Sequence, residues 1–348
     1  MKSYTELVAM FEKYYAEQSF DERYDVYRAM QYIMAMSSKR IRPALTLMGC
    51  DLFNGNLKTA LPAALAVEVY HNSTLVHDDI MDKATTRRGN PTVHKIYGNN
   101  VAINTGDMMF TQSYGYLGKI KKDNIQELFA IFNDTVVKVI EGQSKDMEFE
   151  TRDNVSETEY LEMIKGKTSV LLAGALQMGA WIADADKKSQ KNIYEFGLNL
   201  GLSFQIHDDF LDAYGDPKKV GKRAGGDIIL NKKTILLLKA IELANPTQRK
   251  KIAALLTEKD KRKKVKEMLV LMDQTGAKQY TEDLIDAYYK KAIKNLTAIT
   301  AKEENKKPLF ELAHLLPTQS AEFLAQYIDL PKFAPNRLSS LTQTNPLR

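Results

Sequence analysis

The sequence contains few of the residues that interrupt secondary structure or cross-link a chain. Of its 348 residues, 10 are proline, 18 are glycine and one is cysteine. The proline and glycine fractions lie below the usual ~5% and ~7%, so long uninterrupted elements are expected. The single cysteine, Cys50, cannot form an internal disulfide, which is typical of a protein from a reducing compartment.

The sequence also lacks a long apolar run and a strong excess of one charge. The uncharged stretch 168–183 has 16 residues, fewer than the ~20 apolar residues that a membrane-spanning helix needs. Lys and Arg total 49 against 44 Asp and Glu, a formal net charge of +5, which is too balanced for a dedicated nucleic-acid binder. The N-terminal segment has no signal-peptide core. We therefore expect a cytoplasmic protein with no transmembrane segment and no nucleic-acid partner.

Apolar residues at helical spacing are what the sequence has in abundance. They recur at i, i+3, i+4 and i+7 in most windows, which predicts amphipathic helices. The segments 61–81 and 193–214 are the most apolar, and we predict that both are inner helices, with Pro62 in the first turn of the former. The sequence has no alternating strand pattern that would indicate a parallel α/β sheet. The prediction is one all-α domain over residues 1–348, with 331–348 as a flexible or surface-docked tail.

Two copies of the pattern DDxxD, at 78–82 and 208–212, end the two apolar segments. The first and last aspartates of each copy lie one helical turn apart on the same face, where like charges repel. One copy alone is more often a helix cap or a solvated turn. Two copies favour a bound cation, and Mg²⁺ typically takes one or two carboxylates together with phosphate oxygens. The pattern predicts a Mg²⁺ cluster that a diphosphate completes.

Cationic residues recur on either side of both acid motifs. Arginine binds phosphate oxygens through two parallel hydrogen bonds, and lysine acts as a point charge. Each residue alone is more often a surface residue, but their recurrence predicts two phosphate sites, one through metal and one through direct contact. They are Lys39, Arg40, Arg42, Arg87, Arg88, Lys167, Lys222, Arg223, Lys232 and Lys233. By contrast, we interpret the charged run 258–267 as a solvated helix face or helix end.

Several segments together resemble the trans-polyprenyl diphosphate synthase family. In chain order between Lys39 and Thr234 they are KRIRP, HDDIMDKATTRRGNPT, EGQSKD, GKT, FQIHDDFLDAYGD and GKRAGGDIILNKKT. The resemblance implies a single large bundle of long α-helices around a deep central cavity, usually in a homodimer. It also implies a Mg²⁺-dependent, head-to-tail condensation of isopentenyl diphosphate with an allylic diphosphate.

The resemblance also implies roles for individual residues. The metal ligands that it implies are Asp78, Asp82, Asp208, Asp209 and Asp212. The catalytic residues that it implies are Asp78, Asp79, Asp82, Lys167, Asp208 and Asp209. The residues that match the isopentenyl diphosphate site are Lys39, Arg42, His71 and Arg88. The residues that match the allylic diphosphate site are Arg87, Lys167, Thr168, Gln205, Lys222 and Lys232.

One position departs from the family pattern. Family members commonly have Gly-Gly before the first basic motif, where this chain has Ser37 and Ser38. Glycine permits backbone angles and close approaches that serine does not. We therefore expect this loop to fit isopentenyl diphosphate differently, with the serine hydroxyls available for hydrogen bonds.

Product length depends, in this family, on the side chains below the first acid motif. Ser73 and Thr74 lie one turn beneath Asp78 and are small, so the cavity is expected to be open at that depth. The next candidate floor is Tyr70, ~12 Å below Asp78 along the helix. An isoprene unit spans ~5 Å, about one helical turn. We predict a product longer than farnesyl, with geranylgeranyl (C20) the best single assignment and longer chains open.

Three alternative functions share part of this pattern. A farnesyl diphosphate synthase would differ only in product length. A class I terpene cyclase uses the same DDxxD metal chemistry but needs no second DDxxD and no second diphosphate site. A noncatalytic regulatory subunit could keep the fold after losing an acid motif, whereas both motifs are intact here.

Overall fold

The computed structural model describes residues 1–215 and 225–318, without the side chains of 316–318. Lys222, Arg223 and the predicted tail 331–348 lie outside the described residues. Helices dominate the first half of the chain, with one short antiparallel ribbon. These elements are α1 Tyr4–Ala16, α2 Asp25–Ala35, α3 Ile41–Leu52, α4 Leu57–Met81, β1 Thr86–Arg87, β2 Asn90–Pro91, α5 Val93–Tyr97, α6 Asn99–Leu117 and α7 Ile125–Thr151.

The second half of the described chain is helical throughout. Its elements are α8 Glu157–Ile164, a π-helical turn Lys165–Ser169, α9 Val170–Ile182, α10 Lys187–Tyr214, α11 Gly226–Ile229, α12 Ile235–Leu243, α13 Pro246–Leu256, α14 Lys261–Thr275, α15 Ala277–Thr297 and α16 Glu303–Thr318. The predicted all-α fold is confirmed. Among residues 1–215 and 225–318, no helix is both long enough and apolar enough to cross a membrane.

The two predicted inner helices are the 25-residue α4 and the 28-residue α10. Helix α4 packs against α3, α6 and α9, and α10 packs against α9 and α15. Asn56 caps α4 by accepting a hydrogen bond from the Lys58 N–H, and Asp186 caps α10 in the same way through Ser189. The prediction for Pro62 was wrong, because α4 begins at Leu57 and Pro62 lies in its second turn.

The helices α11 to α14 form a smaller unit with its own apolar core, which packs against the end of α10. Lys264 of α14 is buried in this unit. Its Nζ donates hydrogen bonds to the backbone carbonyls of Ile229 at 3.2 Å and Leu256 at 3.3 Å. These are the C-terminal ends of α11 and α13, where carbonyls lack partners within the helix. The lysine therefore joins the α13–α14 hairpin to the segment that follows α11.

Glycines lie where helices cross closely around the π-helical turn. A Cβ atom on Gly142 of α7 would lie 2.2 Å from the backbone nitrogen of Lys167. On the other side, a Cβ on Gly201 of α10 would lie 2.7 Å from the Cα of Ser169. Local π-helical turns occur frequently at functional sites. The small number of glycines in the sequence thus includes two that allow α7 and α10 to hold this turn between them.

We predict that Gly142→Ala destabilises the protein and displaces the π-helical turn. The added methyl group would overlap backbone atoms that cannot rotate away, at a cost of roughly 1–3 kcal/mol. Thermal unfolding measures the effect. Gly115→Ala on α6 is the matched control, because its Cβ would lie 3.7 Å from its nearest neighbour, Gln112 Oε1; alanine there should be neutral or stabilising by up to ~1 kcal/mol. Equal melting temperatures for the two variants would contradict the prediction.

Candidate active site

The first acid motif ends α4, and its three aspartates have different surroundings. Asp82 is exposed, Asp78 is half-buried and Asp79 is only 1% exposed. Burial raises the pKa of Asp78, Lys167 opposes this shift, and Asp82 adds to it. The outward pair thus carries repelling charges at the end of a helix, where a cation would be stabilised.

Asp79 points into the protein and binds an arginine. Its carboxylate forms an ion pair with Nη2 of Arg87 at 2.7 Å and accepts hydrogen bonds from Nε at 2.9 Å. Arg87 lies in the short ribbon that follows α4, which turns back over the helix end. Since a charged residue that is this deeply buried needs a partner, the pair fixes the guanidinium beside the first motif.

The second acid motif lies near the end of α10, and its central aspartate is also buried. Asp209 accepts a hydrogen bond from the hydroxyl of Tyr160 at 2.7 Å and another from Nε2 of Gln205 at 2.9 Å. The amide oxygen of Gln205 accepts in turn from the hydroxyl of Thr168 at 2.9 Å. Burial raises the pKa of Asp209 to about 7, against the attraction of Lys232. This network connects α8, the π-helical turn and α10.

Asp212 holds the start of α11 against α10. Its Oδ2 accepts from the backbone N–H of Asp227 at 2.8 Å, and its backbone carbonyl accepts from Gly225 at 2.6 Å. Residues 216–224, between these two contacts, lie outside the described chain. The contact nevertheless brings the segment that carries Lys232 back to the second acid motif.

Two lysines and an additional aspartate lie between the acid motifs. Nζ of Lys167 forms an ion pair with Asp146 of α7 at 2.5 Å. Burial lowers the pKa of Lys232, but Asp209, Asp227, Asp146 and Asp208 outweigh it, and the net shift is upward. Asp146 also raises the pKa of Asp78. The structure therefore brings together the two motifs, which are 130 residues apart in the sequence.

Three residues of this site were not among the predicted site residues. They are Asp146, Tyr160 and Asp227. The segments EGQSKD and GGD, which contributed to the family resemblance, contain two of them, and Asp146 follows the crossing glycine Gly142 by one helical turn. Nothing in the local sequence singles out Tyr160, because its contact with Asp209 spans 49 residues.

A second cluster of charges surrounds His71, about two turns below the first motif. Arg40 is buried and pairs with Glu12 and with Glu68, each at 2.7 Å. Burial lowers the pKa values of Arg42 and Arg88 to about 10, with Glu68 opposing the shift in both cases. Among the described residues, the buried Nε of Arg42 has no hydrogen-bond partner. An anion here would satisfy this donor.

His71 itself is enclosed by charged arginines. Burial and the neighbouring arginines Arg42 and Arg88 hold its pKa well below its ordinary value. Lys39 interacts with the second acid motif: burial lowers its pKa, and the attraction of Asp208 opposes that shift. Of the four residues that match the isopentenyl diphosphate site, Arg42, His71 and Arg88 thus lie in one cationic region, and Lys39 faces the second acid motif.

The loop with Ser37 and Ser38 adopts backbone angles that serine can reach. In this loop the residue with positive φ is Arg40, at 50°, and neither serine is in the left-handed region. The ion pairs of the Arg40 side chain with Glu12 and Glu68 hold that conformation. The hydroxyl of Ser38 is buried without a partner among the described residues. Its position is compatible with the predicted hydrogen bond to a ligand.

The predicted chain-length residues lie on α4 as expected from helical spacing. The hydroxyl of Ser73 donates to the carbonyl of Tyr70 at 2.7 Å, and that of Thr74 to the carbonyl of His71 at 2.8 Å. Tyr70 is buried, and its ring contacts Phe110 of α6 and Phe132 of α7, with centroids 6.1 and 5.7 Å away. The three rings form an aromatic layer between α4, α6 and α7.

The protein side chains alone do not form a complete metal site. Within residues 1–215 and 225–318, no group of three or more His, Cys, Asp or Glu side chains is arranged to hold a metal ion. The outward carboxylates of the two motifs nevertheless fit Mg²⁺, since this ion binds through few protein carboxylates and keeps positions for water and phosphate oxygens.

An all-helical bundle with paired aspartate motifs defines the isoprenoid synthase class of enzymes. Residues 24–272 match the family model described as polyprenyl synthetase. The chain is 35% identical over 308 residues to a geranylgeranyl diphosphate synthase of Sulfolobus acidocaldarius, which covers 87% of this chain and 89% of that protein. It is 31% identical to a geranylfarnesyl diphosphate synthase of Aeropyrum pernix, with coverages of 82% and 91%.

Solved structures agree with these matches. A crystal structure of a geranylgeranyl pyrophosphate synthase superimposes with a TM-score of 0.85 at 42% identity, and covers 92% of this chain and all of that one. A second, from Pyrococcus horikoshii, gives a TM-score of 0.84 at 31% identity, with coverages of 90% and 96%. The chain belongs to the polyprenyl synthetase family and is a trans-prenyltransferase, which confirms the predicted family, fold and enzyme class.

We predict that the two leading aspartates of the first motif differ in function. Asp79→Asn removes the charge that fixes Arg87, so the KM for the allylic diphosphate should rise roughly tenfold, the loss of about one charge-assisted hydrogen bond. Asp78→Asn removes a charge that faces the site and should lower kcat by at least ~100-fold. Steady-state kinetics at several Mg²⁺ concentrations measures both effects. If Asp79→Asn shifted the Mg²⁺ dependence and left the KM unchanged, the assignment of Asp79 to Arg87 would be wrong.

Proposed function

We propose that this protein condenses isopentenyl diphosphate with an allylic diphosphate, head to tail, in a Mg²⁺-dependent reaction. The proposed product is all-trans geranylgeranyl diphosphate or a longer polyprenyl diphosphate. The observation that carries this proposal is the presence of two regions where cationic side chains cluster. One lies between the acid motifs at Lys167 and Lys232, and the other lies around Arg42, where a buried donor has no partner.

The principal metal ligands that we propose are Asp78, Asp82 and Asp208. Bound Mg²⁺ would neutralise charge on the allylic diphosphate and favour its departure. For Asp209 and Asp212, an assisting role stays a prediction: both oxygens of Asp209 accept hydrogen bonds, and one oxygen of Asp212 accepts from Asp227.

The remaining residues bind and orient the two substrates. In the proposed allylic site, Lys167, Lys232 and Arg87 contact the leaving diphosphate, where their charges stabilise the negative charge that develops as the C–O bond breaks. Thr168 and Gln205 belong to the hydrogen-bond network that positions this side of the site. Lys222, also predicted here, lies outside the described residues.

In the proposed isopentenyl diphosphate site, Arg42, Arg88 and Lys39 supply positive charge. His71 contributes a hydrogen bond, and burial and the neighbouring arginines hold its pKa well below its ordinary value. We assign no protein base to the final proton loss, for which the released diphosphate is the proposed acceptor. The single, buried Cys50 supports a reducing compartment, and we propose a cytoplasmic location.

The function is tested by incubating the purified protein with labelled isopentenyl diphosphate, Mg²⁺ and dimethylallyl, geranyl or farnesyl diphosphate, followed by chromatography of the products. A C20 or longer polyprenyl diphosphate is expected. A C15 product would indicate the farnesyl alternative. Hydrocarbon from the allylic diphosphate alone would indicate a cyclase, and a lack of any product would indicate a noncatalytic subunit.

We propose that Tyr70, with Phe110 and Phe132, closes the far end of the product cavity. Tyr70→Ala should then lengthen the product by one or more isoprene units of ~5 Å. Ser73→Phe, one turn nearer the first motif, should shorten it. Chromatography of the dephosphorylated products reads both effects. Phe11→Leu is a control, because Phe11 is equally buried but lies on α1. An unchanged product from Tyr70→Ala would exclude Tyr70 as the floor.

We also propose a homodimer formed through α6 and α7. Both helices expose large apolar side chains at helical spacing, which on a monomer is unusual for a contiguous surface. These residues are Ile103, Phe110, Val137, Ile140 and Met147. A second copy of the chain is the proposed partner, which would bury both stripes.

Charge introduced into this surface should prevent dimer formation. We expect Ile140→Glu, at a side chain that is 52% exposed in the single chain, to sediment as a monomer where the unmodified protein sediments as a dimer. Val270→Glu on α14 has a similarly exposed apolar side chain and serves as the control. A dimeric Ile140→Glu variant would rule out this surface.

A further inference from the structure

The net positive charge of this protein arises in one short segment. Residues 249–267 contain nine Lys or Arg and three Asp or Glu, a net charge of +6 in a chain whose total is +5. The rest of the chain is therefore almost neutral. The segment forms α13, the turn after it and the first half of α14.

Eight of the nine cations of this segment are exposed, Lys264 being the buried one, and two of its three acids are engaged locally. Glu258 pairs with Lys263 at 2.8 Å, and Asp260 caps α14 by accepting from the backbone N–H groups of Arg262 and Lys263. We define the basic face as the exposed cations of the segment. They are Arg249, Lys250, Lys251, Lys259, Lys261, Arg262, Lys263 and Lys266. A face with so few neighbouring carboxylates presents a positive potential to solvent.

An exposed apolar side chain lies beside this basic face. Leu230 follows Ile229. Lys264 donates hydrogen bonds both to the Ile229 carbonyl and to the Leu256 carbonyl at the end of α13. The side chain of Leu230 is 77% exposed, more than any other large hydrophobic residue of the described chain. Two residues later comes Lys232, among the aspartates of the active site. Leu230 thus lies between a contact of the unit that carries the basic face and a lysine that interacts with the active-site aspartates.

We propose that the basic face and Leu230 bind the surface of an anionic lipid bilayer. Clustered Lys and Arg attract anionic headgroups, each contributing about fivefold to the partition constant. An adjacent apolar side chain can insert at the boundary between headgroups and acyl chains. The product of this enzyme carries a long hydrocarbon tail that partitions into lipid. Binding would hold the enzyme at the lipid surface, where such a product can leave water. The purpose of the binding rests on the proposed function, but the binding itself does not.

The experiment measures sedimentation of the full chain, without substrates, with vesicles of phosphatidylcholine alone or with 40% phosphatidylglycerol. We expect binding to the anionic vesicles only, and its loss as NaCl is raised from ~0.05 to ~0.5 M, where the Debye length falls below ~5 Å. Lys261→Gln/Arg262→Gln/Lys266→Gln should weaken binding at least ~10-fold. Leu230→Asn should weaken binding at a given salt concentration without changing the net charge.

The matched control is Lys187→Gln/Lys188→Gln/Lys191→Gln. These lysines are exposed at the start of α10, ~30 Å along the helix from Asp208, and the variant removes the same charge. It should bind vesicles like the unmodified protein, and prenyl transfer in solution should show that all variants fold. Equal weakening by both triple variants would overturn the proposal, because it would mean attraction by net charge alone. Equal binding to neutral vesicles would also overturn it, as would binding of single-stranded RNA by the basic face in place of vesicles.

Discussion

The structure depends on holding many carboxylates close together at one end of the bundle. Asp146, Asp208 and Asp209 all act on Lys232, and Asp146 also acts on Asp78. Repulsion among such groups is severe where burial excludes water. Lysines placed between the acid motifs offset it, with Lys167 in direct contact with Asp146. The interleaved lysines reduce the repulsion among the carboxylates, and the repulsion that remains favours a divalent cation.

The helices meet at distances that this charge arrangement requires. Lys167 can reach Asp146 because Gly142, one turn earlier on α7, lets the π-helical turn approach its backbone. On the other side, the contact of Asp212 with Asp227 returns the chain to α10 and places Lys232 opposite. The scarcity of glycine in the sequence therefore has two effects. It leaves the helices long, and two of the few glycines, Gly142 and Gly201, lie at the helix crossings that shape the site.

Much of the fold follows from the sequence, whereas the pairing within the site does not. Helical spacing is a local property, so the all-α class, the inner positions of α4 and α10 and the outward direction of Asp78 could be derived from it. The start of α4 could not be derived from the sequence, because Pro62 indicates a first turn but lies in the second turn of the helix. The contact between Tyr160 and Asp209 and the pair of Arg40 with Glu68 depend on tertiary packing over 49 and 28 residues. No local pattern reports such contacts.

Helical geometry also explains why each motif begins with two adjacent aspartates. Successive residues on a helix are rotated by ~100°, so when the first and fifth positions of a motif face the site, the second turns toward the bundle. In both motifs that second aspartate is buried and hydrogen-bonded, Asp79 by Arg87 and Asp209 by Tyr160 and Gln205. Both buried carboxylates accept from groups that line the proposed allylic site. The doubled aspartate therefore serves two purposes on one helical turn: one carboxylate faces the proposed site, and its neighbour fixes the surrounding donors.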